Sequence, residues 1–259
     1  YYQALLKVGF DTLDFGSFVS PNMIPQMADT ADVITNLDFS NSNTKLLTIV
    51  ANLRGAQTAV KFKKIKYLGY PLSISEYFQV RNTGRTIKES VTNLKEIIKL
   101  TCENEKEVII YLSMGFCNPY GDPWSSSIIL EWVDMLANME IRIISLSDTL
   151  GTAKIQDITH LFDTLITKHP ELEFGAHFHT KPNKWHEKID TAYRAGCIRF
   201  DSAIQGYGGC PMAKDELTGN FPTEKLITYF NSQNIPLNIN ALHFESSYNE
   251  ATKLFSRYK

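Results

Sequence analysis

The sequence has only 4 cysteines in 259 residues, at Cys102, Cys117, Cys197 and Cys210. None stands in a C-x-x-C or other paired spacing, which argues against a disulfide framework and suits a reducing cytoplasm. No apolar run approaches the ~20 residues of a membrane span, so a membrane is not an expected partner. Neither sign of charge dominates: 26 basic and 28 acidic side chains leave a net charge of −2. That balance gives no electrostatic footprint for nucleic acid or an anionic lipid surface. No G-x-G-x-x-G follows an early strand, and no Gly-Lys-Ser/Thr follows the glycine-rich stretch, so dinucleotide and P-loop phosphate motifs are missing. The opening Tyr1-Tyr2-Gln3-Ala4-Leu5-Leu6-Lys7-Val8-Gly9 has neither the basic leader nor the small-residue cleavage site of a signal peptide. It reads as the last turns of a helix ending at Gly9, and without Met it suggests truncation at the N-terminus.

What is present is an alternation. Strand-like apolar runs at 11–18, 45–51 (KLLTIVA), 65–70, 108–114 (VIIYLSM), 141–146 (IRIISL), 173–180 and 198–204 are separated by helical patterns. Those patterns lie at 25–36, 54–64, 86–102, 125–138, 154–169 and 183–195. Two more helices are expected, one opening at Pro222-Thr223-Glu224 and one over 245–259. Pro25 and Pro222 stand in first turns, where a missing N–H costs nothing, and Thr86-Ile87-Lys88-Glu89 is a capping box. With no low-complexity linker and a hydrophobic share of 43%, the expectation is one α/β domain over 1–259 built on a parallel sheet. Seven strands are one fewer than a closed TIM (β/α)8 barrel holds. The expected fold is that barrel with its first strand missing from this chain; an open doubly wound sheet is the alternative.

In such a barrel the chemistry sits at the C-terminal ends of the strands. The stretch Gly175-Ala176-His177-Phe178-His179 places two imidazoles at i and i+2, on one side of a strand, with Phe178 on the other. Two neutral ring nitrogens side by side are a start on a divalent metal site. The alternative is a pair of partly buried histidines bonded to backbone. Other polar residues gather at the same rim: Asp14 and Ser17, Tyr111 with Ser113, Cys117 and Asn118, then Ser145, Ser147, Asp148 and Thr149, then Asp201 and Gln205. Asp148 and Asp201 could instead cap the helices that follow them. The loop Gly206-Tyr207-Gly208-Gly209-Cys210-Pro211 is either a turn or a mobile segment that brings the Cys210 thiol to a substrate as a proton donor. Cys102 and Cys197 read as packing residues.

Four stretches together resemble the 3-hydroxy-3-methylglutaryl-CoA lyase family of metal-dependent TIM-barrel lyases. They are Phe15-Gly16-Ser17-Phe18-Val19-Ser20-Pro21 with Pro25-Gln26-Met27-Ala28-Asp29; Ser145-Leu146-Ser147-Asp148-Thr149-Leu150-Gly151; His177-Phe178-His179; and Gly206-Tyr207-Gly208-Gly209-Cys210-Pro211-Met212-Ala213 with Thr218-Gly219-Asn220. They follow the family's order, and the cysteine loop is the most specific of them.

The resemblance implies that His177, His179 and Asn220 are ligands of a Mg²⁺ or Mn²⁺ ion, and that Cys210 and Asp148 take part in catalysis. It implies that Asp14, Ser17, Tyr111 and Ser145 shape the substrate pocket. The expected reaction is a retro-Claisen cleavage of 3-hydroxy-3-methylglutaryl-CoA to acetyl-CoA and acetoacetate, as in leucine degradation. An acyl-CoA substrate and a homodimer follow from the same likeness; the cytoplasmic location is the expectation drawn above from the unpaired cysteines. The family also carries an Arg-Asp pair at the end of its first strand, which these residues do not contain, and an Asp after His-x-His where this chain has Thr180. The competing readings are an aldolase or Claisen-condensing synthase acting on a 2-oxo acid, and a non-catalytic relative.

Overall fold

The computed structural model describes residues 1–181, 184–209 and 218–256. In chain order these form α1 (Tyr2–Leu5), β1 (Thr12–Ser17), a 3-10 turn (Pro25–Met27), α2 (Thr30–Thr35), β2 (Lys45–Ile49), α3 (Leu53–Ala59), β3 (Ile65–Ser73), α4 (Glu76–Thr83) and α5 (Ile87–Glu103). Next come β4 (Glu107–Ser113), α6 (Ser126–Asn138), β5 (Ile143–Asp148), α7 (Ile155–Lys168), β6 (Glu173–Phe178) and α8 (Trp185–Arg194). The last elements are β7 (Arg199–Phe200), a second 3-10 turn (Ile204–Gly206), α9 (Thr223–Ser232) and α10 (Ala241–Phe255). Seven strands lie in one sheet in the order of the chain, and the pairs β1–β2, β2–β3, β4–β5, β5–β6 and β6–β7 are parallel. The fold is therefore α/β with a seven-stranded parallel sheet.

Two compact units divide the chain. The first holds Tyr1–Gly69, Ile97–Glu107 and Phe230–Lys259. Its strand β2 carries a near-continuous apolar run, as strands covered on both faces do: Leu46 and Leu47, with Leu68 on β3, are all but inaccessible. Tyr1 meets Phe255 edge-on at 5.8 Å, and the buried Lys106 ammonium donates to the carbonyls of Phe62 (3.0 Å) and Ile65 (2.6 Å). Asp14 and Ser17 belong to this unit. Asp14 is exposed on β1. Ser17 is buried, its N–H donating to Thr30 Oγ1 and its hydroxyl to the carbonyl of Ile49, each at 3.2 Å.

The second unit holds Tyr70–Glu96 and Val108–Tyr229. Every residue of β5 is buried. Its register pairs Tyr111 with Ser145, Ser145 with Gly175, and Ser147 with His177. Partners across a ladder share a face and alternate residues change face, so Tyr111, Ser145, Ser147 and His177 stand together. Asp148 pairs with Phe178 on the opposite face. There Phe178 packs against Phe116 and against Phe162 of α7, with ring centroids 5.5 and 6.4 Å apart.

The elements depart from the sequence expectation most clearly in three places. The helix expected over 25–36 is broken into a 3-10 turn and the short α2. The strand expected over 198–204 keeps ladder pairing only at Arg199 and Phe200. Helix α4 was not foreseen; Ser75 caps it, its Oγ accepting from the Phe78 N–H at 3.2 Å, and Gly84 ends it at φ 70°.

Candidate active site

The site is built on β6 and the residue after it. His177 lies within the strand and His179 just beyond it, and the two rings are 5.5 Å apart at 79°. Their environments differ. His177 keeps 33% of its side chain exposed and its Nδ1 is 3.1 Å from Asp201 Oδ2. Asp201 is brought there by its own backbone, whose N–H donates to the carbonyl of Ala176 at 3.1 Å. A carboxylate at Nδ1 fixes the tautomer and leaves Nε2 as the ring's lone-pair nitrogen. The hydroxyl of Ser145 donates to the same Asp201 oxygen at 3.5 Å, and the Tyr111 ring stands edge-on to His177 at 5.1 Å.

His179 is 4% exposed, and its Nδ1 is buried with no partner among the described residues. Burial, then the adjacent His177, push its pKa down to about 4, against a smaller opposing effect of the Thr218 and Gly219 backbone. Its imidazole is thus neutral near pH 7 with an unused buried nitrogen. A bridge pairs His179 antiparallel with Asn220, and the Thr180 N–H donates to the carbonyl of Gly219 at 3.0 Å. The Asn220 Nδ2 donates to the Tyr207 carbonyl at 2.8 Å, which leaves Oδ1 as the end of the amide suited to a cation. Gly206, at φ 66°, would put a Cβ 2.8 Å from the Asn220 carbonyl oxygen, so only glycine permits this approach.

Two ring nitrogens and an amide oxygen fit a divalent cation of hard to borderline character. Among the described residues no three His, Cys, Asp or Glu side chains form a metal cluster, and the amide of Asn220 supplies a donor of another kind. The Ser147 hydroxyl, paired across the ladder with His177, is a second buried polar atom with no partner among the described residues.

The structure thus brings together His177, His179, Asn220, Tyr111 and Ser145 from the sequence-derived set. Asp148 does not join them. Its carboxylate accepts from the N–H groups of Thr152 (2.9 Å) and Ala153 (3.1 Å) and from the Lys188 ammonium (2.5 Å), on the face opposite His177. The odd spacing of 145 and 148 was the signal: residues three apart cannot share a face of a regular strand. Asp14 and Ser17 lie in the other unit, and Cys210 lies outside the described residues. Lys188 went unnoticed in the sequence, where a lysine on an amphipathic helix reads as solvated.

The HMGL-like family profile matches residues 1–249. The chain belongs to that family. It is 29% identical over 237 residues to the mitochondrial hydroxymethylglutaryl-CoA lyase of Arabidopsis thaliana, covering 92% of this chain and 50% of that protein. It is also 29% identical over 233 residues to the 3-hydroxy-3-isohexenylglutaryl-CoA/hydroxymethylglutaryl-CoA lyase of Pseudomonas aeruginosa, covering 89% and 76%. An HMG-CoA lyase from Acinetobacter baumannii, solved with coenzyme A and 3-methylmalate, superposes with a TM-score of 0.90 at 26% identity, over 98% of this chain and 82% of that one. The chain therefore spans about half of the plant relative and about three quarters of the Pseudomonas one. The family expected from the four motifs is borne out.

Proposed function

We propose that this chain cleaves 3-hydroxy-3-methylglutaryl-CoA into acetyl-CoA and acetoacetate. The observation that carries the reading is the Nδ1 of a neutral, buried His179, which has no partner among the described residues, beside His177 and Asn220, in a chain of this family. His177, His179 and Asn220 would hold the divalent cation, Mg²⁺ or Mn²⁺. Such an ion would supply Lewis-acid chemistry, making the substrate's 3-hydroxyl easier to deprotonate.

The chain's own groups do the rest. Asp201 orients His177 through its Nδ1; the 3-hydroxyl proton passes to a base on the site's face, a role that Asp148, spent on Lys188 and two backbone N–H groups, does not fill. Ser145 holds Asp201, and Tyr111 and Ser147 present hydroxyl groups along the substrate. When the carbon–carbon bond breaks, acetoacetate leaves and the electron pair passes to the enolate of acetyl-CoA, whose carbon takes a proton from Cys210. A cytoplasmic homodimer is part of the same proposal.

The test is acetoacetate release from 3-hydroxy-3-methylglutaryl-CoA with Mg²⁺ or Mn²⁺ and with EDTA, on this chain and on one extended upstream of Tyr1. The extended chain is expected to turn over only with metal, and Cys210→Ala to abolish turnover while metal still binds. No release from the extended chain sinks the proposal.

A further inference from the structure

Lys188 is an unusual lysine. It sits in the first half of α8 yet is 4% exposed, and its ammonium has three acceptors for its three N–H bonds. These are Asp148 Oδ2 at 2.5 Å, the Gly151 carbonyl at 2.8 Å and the His179 carbonyl at 3.1 Å. One cation therefore ties the end of β5, the turn after it and the end of β6.

Removing an ammonium from water costs several kcal/mol, and a buried ion pair seldom returns more than well-packed apolar groups would. Stability alone is thus a weak reason for this arrangement, and its geometry suggests another. The Asp148 carboxylate is itself immobilised by the N–H groups of Thr152 and Ala153, so it anchors Lys188 from the rigid end of β5. The Asp148 carbonyl also accepts from the His179 N–H at 3.3 Å. Gly151, at φ 70°, lies so near that a Cβ there would be 3.1 Å from the His179 carbonyl oxygen. The peptide carrying His179 is held on one side by this cluster and on the other by the bridge to Asn220. Backbone position sets where the Cα–Cβ bond aims, and with it where the ring stands relative to His177.

We infer that Lys188 is a positioning residue for the cation site: its ammonium fixes the peptide of His179 so that the imidazole meets the ion in one orientation. The inference rests on the reading of His177, His179 and Asn220 as the cation's ligands. A displaced ligand of this kind is expected to weaken cation binding tenfold or more, the scale on which outer-shell contacts act.

The experiment compares parent, His179→Ala and the charge-free pair Asp148→Asn/Lys188→Met, all in the upstream-extended chain. Three quantities are read: Mn²⁺ affinity from the resonance of the free ion, the visible spectrum of the Co²⁺-loaded protein, and the melting temperature without metal. The pair variant is expected to melt within a few degrees of the parent yet bind Mn²⁺ at least tenfold more weakly, with a changed Co²⁺ spectrum. Unchanged affinity and spectrum in a folded pair variant overturn the inference. So does a pair variant that fails to fold, because Lys188 then serves the fold and not the ligand. If the parent binds no Mn²⁺, or His179→Ala binds it as the parent does, the ligand assignment fails instead.

Discussion

Burial and the neighbouring ring of His177 push the pKa of His179 down to about 4, and this has a consequence for the metal-free protein. Between about pH 4 and the unfolded value near 6.5, the unfolded chain binds a proton that the folded one refuses. Stability is therefore whole above about pH 6.5 and declines as pH falls toward 4, by at most about 3 kcal/mol for a shift of this size. Urea unfolding at several pH values from 7 to 4 should show this slope in the metal-free parent and lose most of it in His179→Gln. An equally steep profile in the variant would assign the slope to another group. The two histidines were legible in the sequence because strand alternation puts i and i+2 on one face. Asp201 was legible only as a choice between cap and site, since its contact with Nδ1 of His177 depends on the pairing of β7 with β6. Asn220 entered by family likeness alone: nothing local in Thr218-Gly219-Asn220 says that the chain returns there to His179.

At the scale of single elements, the two helices that follow β3 contrast in how well the sequence announces them. Helix α5 has a capping box, in which the Glu89 carboxylate accepts from the Thr86 N–H at 2.8 Å and Thr86 Oγ1 accepts from the Glu89 N–H at 3.2 Å. Its apolar positions recur with helical period, so pattern and cap agree. Helix α4 has no such stripe: Tyr77 and Val80 are each 45% exposed, while Phe78 and Gln79 are buried. Its fixed points are tertiary. Ser75, wholly buried, accepts from Phe78 N–H and donates to Asp122 Oδ2 at 2.5 Å, a partner 47 residues away that no local pattern reveals. The two caps should differ in worth accordingly. Thr86→Ala removes an exposed cap, costing about 1 kcal/mol. Ser75→Ala also leaves a buried N–H and a carboxylate oxygen short of a partner, for a total of about 2–3 kcal/mol. Denaturant midpoints of the two variants measure the difference, and equal losses would mean that water replaces the Ser75 hydroxyl.

For the molecule as a whole, strand–helix alternation was enough to give a parallel α/β sheet, because seven apolar runs of strand length separated by amphipathic helices have few other ways to bury their faces. The same seven-stranded chain should gain stability from a cation that binds only its folded form. At a Mn²⁺ concentration of 100 times Kd the gain is about 2.7 kcal/mol. For a chain of this size each kcal/mol moves the melting temperature by about 2–4 °C, so the expected rise is about 5–10 °C. EDTA should reverse it. Because His179 contributes a donor that has no protein partner among the described residues, His179→Ala should lose the rise while leaving the metal-free melting temperature within a few degrees of the parent. Thermal scans of the two proteins with Mn²⁺ and with EDTA decide the matter: an undiminished rise in His179→Ala would locate the cation elsewhere in the chain and remove the foundation from both the lyase chemistry and the role assigned to Lys188.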